Sequence, residues 1–254
     1  MVRRSLQRLT PKQLMDEAAF APLDWPGKTV RLERDSVQQY CQRPASAQPP
    51  ICELFHENSK LFPAMMEELA ATRVDVKGVR LEFLSRRAAL LRDIPAAEID
   101  DCWRELIGEI ARIVSTDLFY AIELRLAWPG ALLSYEPVSN RFALVKRLGA
   151  DEFERLRVAT RLLTPSTEPL ESALLVVASL ARNAILFGSR GYRRTLIEAG
   201  RIIEATLGAA ARLGRRARPH LEFADRAIDQ IIEADGIEES VVAVIELGNS
   251  SHVR

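Results

Sequence analysis

The sequence predicts an α+β fold built on one central sheet. Segments with the two-residue alternation of strands and segments with helical spacing of apolar residues follow one another, with hairpin-like and crossover connections mixed. No segment repeats with a period of about 20 to 50 residues. At 254 residues, of which 48% are hydrophobic and 28% charged, the chain can bury a large core without disulfides or metals.

The first regular element is a helix that opens at Pro95. Its apolar residues recur at helical spacing and are expected to form one buried face: Ile99, Cys102, Trp103, Leu106, Ile110 and Ile113.

Two strands should follow this helix. Residues 120–128 alternate between apolar positions and Glu123 and Arg125, which predicts a strand with two different faces. Turn residues at 135–140 lead to a second short strand, Arg141–Leu148, which is expected to be the direct neighbour of the first.

Further elements complete the predicted domain: helices at 151–163, 195–213 and 224–234, and strands at 172–178 and 241–247. The strand at 172–178 is apolar on both faces, which predicts a central position in the sheet. Gly214 is expected to end the long helix before it.

Composition and charge argue against several classes of function. Lys plus Arg and Asp plus Glu both number 35, so bulk electrostatic binding to nucleic acid or to an anionic membrane is disfavoured. No stretch reaches the roughly 18 apolar residues of a membrane span, and a cytoplasmic protein is expected. The cysteines and histidines lack the spacing of metal ligands, so no metal site is expected: Cys41, Cys52, Cys102, His56, His220 and His252.

Common catalytic motifs are missing from the sequence. It contains no GxGxxG, no GxxxxGK[ST] and no GxSxG, which disfavours a dinucleotide fold, a P-loop and a nucleophile elbow. The acidic pairs at 100–101 and 238–239 stand at helix or strand ends and are interpreted as solvated carboxylates.

Arginines cluster in one part of the chain: Arg190, Arg193, Arg194, Arg201, Arg212, Arg215, Arg216 and Arg218. The first four either bind a phosphate near a helix N-terminus or form a solvated face paired with Glu198 and Glu204, and both interpretations stay open. The last four follow a helix C-terminus, where cations are stabilised for electrostatic reasons alone.

A family resemblance begins with Phe-Gly-Ser-Arg-Gly-Tyr-Arg at 187–193 and Leu-Ile-Glu-Ala-Gly at 196–200. This segment resembles the nitroreductase-fold flavoproteins, and among them the SagB-type dehydrogenases, which oxidise azolines to azoles in ribosomally made peptides. Further matches keep the family's order and extend the resemblance over about residues 55–248: 55–60, 115–120, 135–139, 209–214, 223–225 and 235–239.

The resemblance implies a nitroreductase-like fold, with a mixed or antiparallel sheet flanked by helices, an intertwined dimer and FMN as cofactor. The residues that it implies for the cofactor are Arg86, Arg87, Ser115, Arg190 and Arg193. Arg86-Arg87-Ala88-Ala89-Leu90 departs from the family's Arg-Arg-Ser-x-Arg phosphate motif. Each lost phosphate contact could weaken FMN binding by about 1.5–3 kcal/mol.

The family's proton-handling Lys-Tyr pair is replaced by Leu186-Phe187, neither of which exchanges a proton. Tyr192, or a residue of a partner subunit, would then have to accept the proton. The implied function is FMN-dependent oxidation of a modified precursor peptide within a multi-protein complex. The alternative is a non-catalytic subunit of a homodimer or heterodimer that completes or scaffolds an active paralogue or a cyclodehydratase.

Two other functions remain open: a binding module without a deducible ligand, and a nitroreductase that uses NAD(P)H on small aromatics, which the peptide-type motifs disfavour. Residues 1–63, rich in proline, are predicted to be an N-terminal extension to a domain at 64–254. The extension either wraps a neighbouring subunit, which we favour, or holds the peptide leader or docks a cyclodehydratase.

Overall fold

The structure is a computed structural model that describes residues 75–91, 99–162, 170–188 and 190–248. The predicted extension at 1–63 and the motif at 55–60 lie outside the described residues, as does Pro95. The helix predicted to open at Pro95 begins only at Asp101, because Ile99 and Asp100 are not helical. The boundary at residue 63 therefore stays a prediction.

The described residues form six α-helices and one 3₁₀ helix: α1 Val76–Leu91, α2 Asp101–Ile113, the 3₁₀ helix Thr116–Tyr120, α3 Ala150–Thr160, α4 Leu180–Phe187, α5 Arg190–Arg212 and α6 Asp225–Ile232. They also form six strands: β1 Ile122–Trp128, β2 Gly130–Glu136, β3 Arg141–Leu148, β4 Ser172–Ser179, β5 Arg216–His220 and β6 Glu239–Gly248.

The six strands make one antiparallel sheet in the order β3-β2-β1-β4-β6-β5. All eight residues of β4 are buried, because this strand lies between β1 and β6 and is covered on both faces. The central position predicted for the segment at 172–178 is confirmed. The predicted α+β class with helices flanking one sheet is confirmed as well.

One predicted pairing is wrong: β1 and β3 are not neighbours, because β2 lies between them. β1 pairs with β2 through Arg125 and Ser134, and β2 pairs with β3 through Tyr135 and Phe142. Gly130 at φ 98° lets the chain reverse within two residues after β1, so no longer run of turn residues marks the start of β2.

Apolar cores lie on both faces of the sheet. On one face, α1, α2 and α5 pack against β1 residues such as Leu124 and Leu126. On the other face, α3 and α6 pack through Phe153 and Ile228. Helix α2 buries only part of the apolar stripe that its spacing predicted: Trp103, Leu106 and Ile110 are buried, whereas Ile113 is 47% exposed. Gly214, at φ 65°, follows the end of α5 as expected.

Candidate functional site

The corner between α4 and α5 carries the segment on which the family resemblance rests. Gly188, at φ 55°, turns the chain after Phe187, and α5 begins at Arg190, five residues before the predicted start. A Cβ atom on Gly191 would lie 2.3 Å from the backbone carbon and oxygen of Asn183. The two helices therefore approach so closely that only glycine fits at position 191.

Arg80 is the fully buried centre of a polar site beneath this corner. It donates hydrogen bonds to Glu198 Oε1 at 2.8 Å and to Asn183 Oδ1 at 2.6 Å, and its Nη1 lies 3.4 Å from Asp117 Oδ2. A buried guanidinium requires such partners, since leaving it unpaired would cost several kcal/mol. We call the set Arg80, Asp117, Asn183, Phe187, Arg194 and Glu198 the Arg80 site.

Glu198 holds the Arg80 site together from α5. Its carboxylate accepts hydrogen bonds from Arg80, from Arg194 Nε at 2.9 Å and from Asn183 Nδ2 at 2.9 Å, although its side chain is only 4% exposed. Asn183 also donates to the hydroxyl of Thr195 at 3.0 Å. The expected pairing of the arginine cluster with Glu198 is present at Arg194, but the Glu198 carboxylate is buried rather than solvated.

Leu186 and Phe187, at the end of α4, are the residues that the resemblance aligns with the proton-handling pair. The Leu186 side chain is buried in the apolar core at 4% exposure. The Phe187 ring contacts two guanidinium groups, with its centroid 5.6 Å from Arg80 Cζ and 4.3 Å from Arg194 Cζ. Such cation–π contacts stabilise the ring, but they offer no group that exchanges a proton.

The first turn of α5 contains three residues predicted for the site: Arg190, Tyr192 and Arg193. The arginines are half-buried, and Tyr192 is 42% exposed. Backbone N–H groups of a first helical turn favour an anion, and two arginines beside them strengthen that preference. The interpretation of these arginines as phosphate ligands stays a prediction.

Ser115 lies at the start of the 3₁₀ helix, beside the Arg80 site. It is exposed, and its hydroxyl donates a hydrogen bond to Asp117. Through Asp117 the flavin-loop segment of the resemblance reaches Arg80, which also contacts Phe187 of the α4–α5 corner. Two segments that lie 70 residues apart in the sequence therefore meet around one arginine.

A second buried cluster surrounds Glu123 on β1. We call it the Glu123 cluster, and its members are Arg87, Glu123, Arg125, Arg182 and Glu239. Burial alone would raise the pKa of Glu123, but the guanidinium groups of Arg87, Arg182 and Arg125 outweigh burial and hold that pKa well below its ordinary value. Glu123 is therefore a carboxylate at neutral pH.

Glu239 corrects one prediction from the sequence, because it is not a solvated carboxylate. Its side chain is 18% exposed and lies 3.3 Å from both Arg125 and Arg182. Burial, followed by the nearby charge of Glu123, raises its pKa. Asp101, by contrast, is 87% exposed, which agrees with its interpretation as a solvated carboxylate.

Arg86 and Arg87, the pair predicted to hold a phosphate, lie on different sides of α1. Arg86 is half-exposed and forms an ion pair with Glu82 one turn earlier. Arg87 is buried, and its Nη2 lies 2.8 Å from Glu123 Oε2, as an ion pair without hydrogen-bond alignment. The two guanidinium groups do not converge, so this pair does not fit one phosphate.

Two cavities in the described part of the chain lie elsewhere. One, of about 530 Å³, lies at the ends of β1, β4 and β6 and is lined in part by Trp103 and Trp128. The other, of about 540 Å³, is a groove between α2 and α5, with Ile113 and Ile197 among its lining residues. Neither contains a residue predicted for the cofactor.

The described residues lack the features of a metal centre or of a membrane-spanning helix. They contain no group of three or more His, Cys, Asp or Glu side chains that could hold a metal ion. Within the same residues, no helix is long and apolar enough to cross a membrane.

Comparisons with solved structures identify the fold. A nitroreductase-type protein from Anabaena variabilis superimposes with a TM-score of 0.59 at 19% identity, covering 81% of this chain and 47% of that protein. A chain of the Escherichia coli microcin synthetase McbBCD complex, solved with truncated pro-MccB17 bound, gives a TM-score of 0.52 at 13% identity, covering 95% of this chain and 92% of that chain. The chain therefore has a nitroreductase-like fold.

Other comparisons set the limits of this similarity. No protein-family model matches the sequence, and no curated protein matches it. The aligned part spans about half the length of the Anabaena protein. At these identities the similarity establishes the fold alone.

Sequence reasoning missed the charged residues that organise both clusters, above all Arg80 and Arg182. Each is a single arginine without a motif, so no local pattern distinguishes it from a surface residue. A usable signal was present on β1, where Glu123 and Arg125 interrupt a predicted strand of the central sheet. Charges there require buried partners from other elements.

Proposed function

We propose that this chain is a nitroreductase-fold subunit of an assembly that matures a ribosomally made peptide, and that it takes part in FMN-dependent dehydrogenation of the modified peptide. The observation that carries the proposal is the α4–α5 corner, where a segment resembling the SagB-type enzymes forms a close helix pair with Arg190, Tyr192 and Arg193 on the first turn of α5. The similarity to a chain of the microcin synthetase complex, over nearly the full length of both chains, supports the same class of assembly.

The proposed cofactor contacts lie at the first turn of α5. The guanidinium groups of Arg190 and Arg193, at the N-terminal end of α5, would hold the FMN phosphate. The exposed Ser115 hydroxyl is the polar group offered by the flavin-loop segment. When bound, FMN supplies the hydride acceptor, and the protein supplies binding, orientation and electrostatics.

Tyr192 is the proposed proton acceptor. It is 42% exposed and lies on the same helical turn as both arginines. Leu186 and Phe187 are unable to serve in its place, since the first is apolar and buried and the second is an aromatic hydrocarbon.

A second candidate function is a non-catalytic subunit that completes the site of a related nitroreductase-like chain. The replacement of the family's Lys-Tyr pair by Leu186 and Phe187 favours it, as does the pairing of Arg87 with Glu123. In both proposed functions the chain works in a dimer or a larger complex. A precursor peptide is the proposed substrate of that assembly, and a cyclodehydratase is a further proposed partner.

An FMN titration tests the proposed contacts. The double variant Arg190→Ala/Arg193→Ala should lose FMN binding while its far-UV circular dichroism spectrum stays that of the wild type. Arg104→Ala is the matched control, because Arg104 is 63% exposed on α2 and lies outside the Arg80 site. FMN affinity that is unchanged in the double variant would refute the assignment of both arginines.

A further inference from the structure

Helix α1 buries two arginines that lie on one face, seven residues apart, and each meets a carboxylate of another element. Arg80 meets Glu198 of α5 at 2.8 Å, and Arg87 meets Glu123 of β1 at 2.8 Å. Residues separated by two helical turns share a face, so these ion pairs fasten one side of α1 to the rest of the domain.

The Glu123 cluster already supplies the buried Arg87 with a carboxylate of the chain. The Arg87 side chain is 10% exposed and Glu123 is 3% exposed, while Arg182 supplies a second contact to Glu123 at 2.8 Å. Moving Arg87 toward a phosphate would remove one of the cations that compensate Glu123 within a desolvated cluster. Removing one partner of a buried ion pair is strongly unfavourable.

Arg86, the neighbouring residue, does not replace Arg87 in this role. It is 48% exposed and is paired with Glu82 along the helix surface. An exposed pair of this kind is weak, so Arg86 is a solvated side chain rather than part of a built anion site.

We infer that the Glu123 carboxylate takes, within the chain itself, the place that a cofactor phosphate would take at Arg87. Arg87 is thus a positioning residue that anchors α1 to β1, and α1 makes no contact with the phosphate of FMN. Any FMN phosphate bound by this chain is held by the first turn of α5 or by a partner subunit. The part of this inference that concerns FMN rests on the proposed function; the part that concerns Arg87 and Glu123 does not.

A double-mutant cycle combined with FMN titration tests the inference. The variants are Arg87→Met, Glu123→Gln and the double variant, with Arg86→Met as the matched neighbour. Urea denaturation should show a lowered midpoint for Arg87→Met and no shift of the midpoint for Arg86→Met. The double variant should lose less free energy of unfolding than the sum of the losses of the two single variants. Arg87→Lys keeps a cation beside Glu123 and serves as the folded variant if Arg87→Met does not fold.

Each outcome decides the inference. Two results together support it: the losses of stability are non-additive, and the FMN Kd of the folded Arg87 variants stays within about twofold of the wild-type value. A tenfold or larger weakening of FMN binding in Arg87→Lys, about 1.4 kcal/mol, at an unchanged urea midpoint would overturn it. If neither the wild type nor any variant binds FMN, the catalytic part of the proposed function fails. The double-mutant cycle alone then decides whether Arg87 pairs with Glu123. Additive losses of stability overturn that pairing, and coupled losses support it.

Discussion

Replacing Gly191 by alanine tests the close contact between α4 and α5. The new Cβ would lie 2.3 Å from the backbone carbon and oxygen of Asn183 and 2.5 Å from the backbone nitrogen of Ala184. No side-chain rotation relieves a clash with backbone atoms, so the helices must separate. Overpacking of this kind costs about 1–3 kcal/mol, and the rigid contact places Gly191→Ala at the upper end of that range.

The same substitution at an open helical position should have the opposite effect. A Cβ atom on Gly108 of α2 or Gly200 of α5 meets no atom within 4 Å. Alanine is favoured over glycine in a helix interior by about 1 kcal/mol, so Gly108→Ala and Gly200→Ala should stabilise the fold. The same gain in helix propensity offsets part of the cost of the clash at position 191. Gly191→Ala should therefore lower the free energy of unfolding by about 2 kcal/mol.

Urea denaturation followed by far-UV circular dichroism measures this difference directly. The two controls and Gly191→Ala should differ by about 3 kcal/mol in the free energy of unfolding, with similar denaturant slopes. If Gly191→Ala proves as stable as Gly200→Ala, then the two helices do not pack as described, and the reasoning is refuted.

Three further predictions concern the buried polar groups. Arg80→Met should lower the free energy of unfolding by about 3–5 kcal/mol, because it leaves Glu198 buried without its main cation, and Arg80→Met/Glu198→Leu should recover part of that loss in urea denaturation. The pKa of Glu123 lies below its ordinary value of 4.5, so its stabilising contribution is complete above about pH 4.5 and is lost as the pH falls. Thermal melts should therefore show a steeper acid loss in wild type than in Glu123→Gln, and equal slopes would contradict the ion cluster. Tyr120→Phe removes a hydroxyl that donates to the Arg182 carbonyl at 3.2 Å, and it should destabilise by about 1 kcal/mol in the same melts, whereas no change would show that this bond adds nothing.

Apolar periodicity predicted the elements whose buried residues are apolar. Helix α2 and strand β4 follow this rule, since each presents a regular pattern that the core then buries. Helix α1 does not, because Arg80 and Arg87 occupy two of its five buried positions and break the apolar pattern. Buried charges are compensated by residues distant in sequence, and local periodicity does not detect such partners.

The candidate site was predictable only in part. The resemblance placed Arg190, Tyr192 and Arg193 together, and the structure sets them on one turn of α5. Their roles toward FMN stay proposals. Arg80 was missed, because its partners come from positions 37 to 118 residues away along the chain.

The measurement that tests the proposed function most directly is the visible absorbance of the purified chain after FMN is added and the excess removed. It is made on the chain alone and on the chain mixed with a related nitroreductase-like subunit. A flavin band in the chain alone is predicted for a catalytic subunit, and a band that exceeds the partner's own is predicted for a subunit that completes the partner's site. A chain that retains no flavin and adds none to its partner would contradict a role in FMN-dependent oxidation.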